Sequence, residues 1–262
     1  LLWVQQGNSY QISSKGSIRG LPLAWVEALA ASATLDQSLA SNMLLDGAWN
    51  VELGQRLQLQ AHLARSSGDI VILSGQGGRV AAGIRNARID VQSNGNQIEA
   101  RLLWDSARAG NANAQVRTRL QRTASGWSLP GSAPLSGQLQ AKLPRVGVWN
   151  MFAPPGWRLR GTLDTQIALS GTLQSPQLHG TLNMDDLGVR SIVDGIAFSG
   201  GRLRARLNGQ RMDISEFSMQ GSPARTGLLG TQRIDGGSIN ITGYTQWGGG
   251  ANLLDSIRVQ LS

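Results

Sequence analysis

Apolar and polar residues alternate along almost the whole chain. The pattern runs through Leu57-Gln-Leu-Gln-Ala-His-Leu63, Leu139-Gln-Ala-Lys-Leu143 and Leu163-Asp-Thr-Gln-Ile-Ala-Leu169. It returns in Leu178-His-Gly-Thr-Leu-Asn-Met184, Leu203-Arg-Ala-Arg-Leu207, Ile239-Asn-Ile-Thr-Gly-Tyr-Thr-Gln-Trp247 and Ile257-Arg-Val-Gln-Leu261. A period of two places every second side chain on one face of a strand. Gly, Asn, Asp or Pro bounds each run, as hairpin turns require. The chain is therefore expected to be mainly β, a long antiparallel sheet with one apolar and one polar face.

A shorter repeat lies within this pattern. Gly161-Thr-Leu163, Gly171-Thr-Leu173 and Gly180-Thr-Leu182 follow one another closely, and each Gly is expected at a strand start, in a tight bend. Regular repetition of one strand per turn interval points to an extended or solenoid-like sheet, not a compact sandwich.

Two segments leave the period-two pattern. In 21–45, Leu21, Trp25 and Leu29 have helical spacing, Pro22 suits a first turn, and Thr34 with Gln37 forms a capping box ahead of Leu35, Leu39 and Met43. In 143–153, Leu143-Pro144 opens a stretch with Val148, Trp149 and Phe152 on one side, closed by Pro154-Pro155. Short amphipathic helices are expected near both, plugging an end of the sheet, with Trp25 and Trp149 packed against it. Each segment begins with Leu-Pro and leads into a similar strand, Leu45-Asp-Gly-Ala-Trp-Asn-Val51 or Leu159-Arg-Gly-Thr-Leu-Asp-Thr165. The organisation read from this is the end of a preceding β repeat at 1–20, a helix-plus-strand-ladder unit at 21–142, and a second at 143–262.

Composition narrows the function classes. The chain of 262 residues has no Cys and two His, His62 and His179. Disulfides, zinc ribbons and thiol catalysis are excluded, and a histidine metal site or Ser-His-Asp triad is poorly supplied. No apolar stretch is long enough for a membrane-spanning helix. Leu1-Leu2-Trp3-Val4 reads as the inside of an element, so the chain is expected to be a piece of something longer.

Lys and Arg total 24 against 16 Asp and Glu, a net charge of +8 carried almost wholly by Arg. Arg202, Arg204 and Arg206 alternate with apolar residues and share one face, read as the solvated outside of the sheet. No aromatic lies within that run to stack bases, so no nucleic acid is expected as partner.

Other candidate chemistry is weak. Gly75, Gly77 and Gly78 follow a strand-like run, but Val80 stands where a dinucleotide fingerprint needs Gly, so a hairpin turn is expected. Asp185-Asp186 is good turn chemistry. Asp90, Asp105, Asp164, Asp213 and Asp235 read as isolated solubilising residues, the two histidines as solvent-facing, and Gly248-Gly-Gly-Ala as a loop. No catalytic set, metal site or cofactor is expected, and the protein is read as no enzyme.

The stretch Leu159-Arg-Gly-Thr-Leu-Asp-Thr-Gln-Ile-Ala-Leu-Ser-Gly-Thr-Leu-Gln-Ser-Pro-Gln-Leu-His-Gly-Thr-Leu182, followed by Ile196-Ala-Phe-Ser-Gly-Gly-Arg-Leu203 and Met212-Asp-Ile-Ser-Glu-Phe217, resembles the TamB family within the wider AsmA-like group of periplasmic proteins. The Leu-Pro-helix openings match its repeat starts, and the resemblance covers 15–262. It implies a taco- or gutter-shaped sheet with an apolar concave face, in a parent chain anchored in the inner membrane and crossing the Gram-negative periplasm. It further implies a role in phospholipid movement between membranes and in outer-membrane protein (autotransporter) assembly with the barrel protein TamA, through parts outside this piece. The piece itself is placed as middle or C-proximal.

The physics of such a sheet points the same way. Some twenty strands at about 4.8 Å each would extend about 90–100 Å. Phospholipid acyl chains suit a continuous apolar trough, because burial is worth about 0.8 kcal/mol per CH₂ and has no preferred direction. Leu163, Ile167, Leu169, Leu178, Leu182, Met184, Leu203, Leu207, Met212 and Ile214 are the expected groove-lining residues. The alternative is a secreted β-solenoid passenger or adhesin with a closed core and stacked parallel coils.

Overall fold

The computed structural model describes residues 2–6, 9–25, 41–54, 56–73, 79–124, 126–147, 157–191, 196–221, 224–226, 232–234, 236–247 and 258–261. Among these residues twenty strands follow one another. The first ten are β1 (Leu2–Gln6), β2 (Ser9–Pro22), β3 (Leu44–Leu53), β4 (Leu57–Ser67), β5 (Val71–Leu73), β6 (Arg79–Ala81), β7 (Ile84–Asn94), β8 (Gln97–Ser106), β9 (Gly110–Arg119) and β10 (Gln121–Thr123). The rest are β11 (Gly126–Ser128), β12 (Leu135–Leu143), β13 (Trp157–Gly171), β14 (Pro176–Ser191), β15 (Ile196–Gly209), β16 (Arg211–Gly221), β17 (Ala224–Thr226), β18 (Gln232–Ile234), β19 (Ser238–Gln246) and β20 (Arg258–Leu261).

Fourteen of them form one sheet in chain order, β1-β2-β3-β4-β7-β8-β9-β12-β13-β14-β15-β16-β19-β20. The six short strands pair off as hairpins β5/β6, β10/β11 and β17/β18, carried outside the sheet. This corrects the length expected from twenty strands in line. Thirteen intervals of about 4.8 Å give a sheet about 60 Å long. Every neighbouring pair in the sheet is antiparallel. Stacked parallel coils are thus absent from the described residues, which removes the architecture an adhesin-type solenoid needs. β1 and β20 lie at opposite edges of the sheet order, so it is not closed into a barrel.

The two ends of the strands differ. One end, the upper, carries the connections β2–β3, β4–β7, β8–β9, β12–β13, β14–β15 and β16–β19. Most register shifts lie toward it: Ile18/Leu21, Leu44/Leu45, Ile84/Asn86, Arg160/Thr162, Met184/Leu187, Leu187/Val189 and Ser199/Arg202, while Arg204/Ala205 and Ile214/Phe217 fall near mid-strand. Bulges bend strands and increase twist, so a row of them along one end curls the sheet there. The buried core lies at this end too. Met43, Ile70, Ala82, Ala109 and Val146, all supplied by the connections, pack with the strand residues Leu45, Ile84, Trp104, Ala112, Ala141 and Leu143.

Several local expectations change. Pro22 ends β2, opposite Leu44, and helical backbone begins only at Leu23–Trp25. The remainder of that helical segment, 26–40, and Trp149 lie outside the described residues; the second segment is described as far as a 3₁₀ turn at 146–147. Trp25 does not plug the sheet: it is 65% exposed, while Leu23, two residues earlier, takes the packing position against the core. Gly161 and Gly180 sit inside strands and Gly171 ends one, so none is a strand start. Asp185-Asp186 is no turn. Both lie within the sixteen-residue β14, where Asp186 has φ +51° at the bulge between Met184 and Leu187. Asp tolerates the left-handed region better than most residues, which accounts for turn-like chemistry inside a strand. Val71–Leu73 and Arg79–Ala81 do form a hairpin; its tip at 74–78, Asp235 and the loop at 248–251 lie outside the described residues.

Candidate functional site: the apolar face of the sheet

Cross-strand partners in an antiparallel sheet point to the same side. Following partners from strand to strand therefore traces rows across one face. One such row runs Ile18, Gly47, Leu63, Ile89, Leu102, Ala114, Leu139, Ile167, Gly180, Leu207, Met212 and Thr245. It crosses every strand of the sheet from β2 to β19 without a break.

The flanking rows on the same face repeat the chemistry. Toward the upper end runs Ala87, Trp104, Ala112, Ala141, Thr165, Leu182, Ala205, Ile214 and Gly243, then Leu143, Leu163, Met184, Leu203, Phe217 and Ile241. Toward the lower end runs Gly16, Trp49, Ala61, Val91, Ala100, Val116, Gly137, Leu169, Leu178 and Gly209. None of these four rows contains a charged residue. The hydroxyl of Thr165, buried in the second row, donates to the carbonyl of Thr181 at 2.7 Å and so presents no free polar atom.

All ten residues singled out from the sequence lie in these rows: Ile167, Leu207 and Met212 in the long one, Leu182 and Ile214 in the second, Leu163, Met184 and Leu203 in the third, Leu169 and Leu178 in the fourth. The sheet brings them together over four adjacent strands.

No second sheet covers this face among the described residues. Toward the upper end the connections roof it, and Ala112, Ala141 and Leu143 are buried. Farther from that end Ile18 is 36% exposed, Trp49 38% and Ile89 45%.

At the lower end tryptophans tie turns together. Trp247 continues the alternation of β19 onto the apolar side, and its indole N–H donates to the carbonyl of Pro176 at 3.3 Å. Between them lie β15 and β16. Trp127, in the β10/β11 hairpin, donates to the carbonyl of Gly54 in the β3–β4 turn at 3.0 Å. The parity of Trp247 was readable in the alternation Ile239 to Trp247; its partner was not. Trp127 carried no such signal, because its hairpin lies outside the periodic strands.

The opposite face is polar and many of its charges are paired. Arg85 forks onto Asp105 (2.8 Å from Nε), Arg88 binds Asp90, Arg211 binds Asp213 at 2.6 Å, and Lys142 stands 3.7 Å from Asp164. These four aspartates, expected to be isolated, are all paired. Arg101 and Arg117 flank Glu99, while Asp185 takes Arg204 at 2.6 Å and Arg202 at 3.4 Å, the latter also reaching Glu216. Hydrogen bonds from these guanidinium groups hold several carboxyls below the ordinary carboxylate range: Arg204 for Asp185, Arg85 for Asp105, Arg88 for Asp90 and Arg117 for Glu99. His62 and His179 lie exposed on this face, in one row with Asp90 and Arg101. Among the described residues no three His, Asp or Glu side chains gather as metal ligands.

An open antiparallel sheet with one continuous uncharged apolar face and one polar, partly ion-paired face defines a trough-forming protein. A model of the TamB N-terminal domain matches residues 8–184, about two thirds of the chain. The chain belongs to the TamB family, a non-enzymatic transport and assembly family of the Gram-negative envelope. The match is to the family's N-terminal domain, so a middle or C-proximal placement is not borne out. No solved structure matches the chain. Among the described residues no helix is long and apolar enough to cross a membrane.

Proposed function

We propose that the apolar face binds phospholipid acyl chains and guides them along the axis of the sheet, as part of a conduit between inner and outer membrane. The observation that carries this reading is the unbroken row from Ile18 to Thr245. A path for apolar cargo must be continuous, because each charged interruption costs several kcal/mol to desolvate against an acyl chain. It must also lack directional bonds, so that cargo exchanges one set of methylenes for the next at little cost. Both conditions describe the four rows. Assembly of outer-membrane proteins with TamA, through other parts of a longer parent chain, belongs to the same reading, as does anchoring of that parent in the inner membrane.

Native mass spectrometry of the protein extracted gently from Gram-negative cells tests it. Phospholipid is expected to accompany the chain, and Ile167→Asp or Leu207→Asp to abolish that association. Gln166→Asp, on the outer face beside Ile167, should leave it intact. Absence of lipid from the unmodified protein, or equal lipid content in all three variants, sinks the reading.

A further inference from the structure

On the polar face eight cations, Arg85, Arg88, Arg101, Arg117, Arg202, Arg204, Arg211 and Lys142, each have a carboxylate within 4.0 Å. At the upper ends of β13 and β14 that pattern is reversed. Arg158 stands directly opposite Arg190 in the ladder, and Arg160 is on the same face two residues along β13, opposite Gly188. All three arginines are exposed, and no carboxylate among the described residues forms a salt bridge with any of them.

Like charges directly opposite in an antiparallel pair destabilise it, and their side chains begin only about 5 Å apart. With no carboxylate beside them, the three arginines place three positive charges in one spot. The floor between them is made of small residues. A Cβ at Gly188 would collide with the Arg160 side chain, so the glycine is what lets that side chain lie across β14. Beside Arg190, the next strand presents Ala197. The three arginines thus share one exposed patch of the same face, beside small residues that leave it open to a small anion.

We propose that Arg158, Arg160 and Arg190 form a binding site for a phosphate group on the outer rim of the sheet. A guanidinium fork matches two oxygens of an oxyanion. One carboxylate, with two oxygens, is satisfied by a single fork, whereas a phosphate offers enough oxygens for several. The phosphate is that of an anionic lipid headgroup or a soluble phosphate, both recognised by the same forks. The site lies on the face opposite the apolar rows and stands or falls apart from them.

The test compares the chain with a triple variant, Arg158→Gln, Arg160→Gln and Arg190→Gln. A control with the same change in net charge carries Arg19→Gln, Arg56→Gln and Arg119→Gln at exposed positions elsewhere. Two probes are used: inorganic phosphate by titration calorimetry, and flotation with phosphatidylcholine vesicles with and without phosphatidylglycerol. Binding is expected to at least one probe, with affinity reduced about tenfold or more in the triple variant and little in the control. Binding to phosphatidylglycerol vesicles alone assigns the site to a headgroup; binding to inorganic phosphate assigns it to the phosphate itself. Binding to neither, or equal loss in both variants, overturns the site. Thermal unfolding adds a separate readout, since removing one of two opposed like charges with Arg158→Gln should raise Tm. A lowered Tm with unchanged phosphate binding would overturn the site and show the arginines to be structural instead.

Discussion

Trp247 and Pro176 are joined by an indole N–H···O=C hydrogen bond of 3.3 Å although they lie 71 residues apart and three strands apart in the sheet. Three intervals of a flat sheet measure about 14 Å, farther than an indole and a hydrogen bond bridge. The sheet therefore curls toward its apolar side between β14 and β19. Gln210 in the intervening turn joins the same contact set, its amide donating to the Ser175 hydroxyl at 2.6 Å. Curvature at the lower end thus rests on specific bonds between turns, and at the upper end on bulges.

Trp247→Phe keeps an aromatic ring and removes the donor. The expected loss is about 1 kcal/mol, the net value of one such bond, read as a lower urea midpoint with unchanged slope. Trp127→Phe, which loses the bond to Gly54, should behave in the same way. No change in either midpoint would show the ties to be incidental to the fold.

Gly180 occupies the long apolar row at φ +151°, between Ile167 and Leu207. A Cβ there would collide with the carbonyl of Gln166. Gly180→Ala is expected to destabilise by about 2–3 kcal/mol, combining backbone strain with overpacking. Gly209, at φ +69° in the β15–β16 turn, has open space around its missing Cβ. Gly209→Ala should cost only about 1 kcal/mol. Urea denaturation of both variants checks the ordering, and an equal cost would refute the argument from close approach.

Asp185 is held below the ordinary carboxylate range by the hydrogen bond from Arg204, and Asp105 by that from Arg85. A carboxyl with a depressed folded-state pKa adds stability that is present above its unfolded pKa, about 3.9, and lost as pH falls through the folded value. Stability should therefore be flat around neutrality and fall in acid, starting near the ordinary carboxylate range. These pairs are exposed, so salt should reduce the effect. Asp185→Asn is expected to shrink the acid-dependent part of the urea midpoint and leave the neutral-pH slope flat. An unchanged acid profile in that variant would remove Asp185 from the account.

Much of this arrangement was legible from residue order. The alternation Leu163 to Leu169, Leu178 to Met184 and Leu203 to Leu207 fixes which residues share a face within each strand, because the side-chain period is two. Joining those faces is a matter of register, set by turn lengths and bulges, and a one-residue slip would invert a strand. The bulges around Arg160/Thr162 and Met184/Leu187 have no signature in a periodic pattern, and the aspartates beside one of them imitate a turn. Acid–base pairing such as Arg85 with Asp105 spans strands and so escapes local reading, as does the carbonyl that Trp127 finds at Gly54. The division of the chain at 142/143 falls inside β12, whose last residue, Leu143, pairs onward with Leu163 of β13. The two units we infer from the Leu-Pro openings are thus successive lengths of one sheet.

Ile89 and Leu103 provide a matched test of the two faces. They lie on adjacent strands and are similarly exposed, 45% and 38%. Ile89 belongs to the long apolar row, whereas Leu103 pairs with Arg88 on the polar face. Replacing either by Lys buries little charge, so each should change stability by no more than about 1 kcal/mol. Their effects on an apolar probe should differ. In the Ile89→Lys variant, a fluorescent fatty acid that seats its chain along the trough meets an ammonium at the middle of its path. It must desolvate that charge or leave the surface. In the Leu103→Lys variant the new charge stands on the other side of the sheet and never meets the probe. Ile89→Lys is therefore expected to weaken probe binding about tenfold or more, with Leu103→Lys near the unmodified protein. Equal losses in the two variants would mean that the probe senses net charge alone. Equal retention would mean that the apolar row does not form its path.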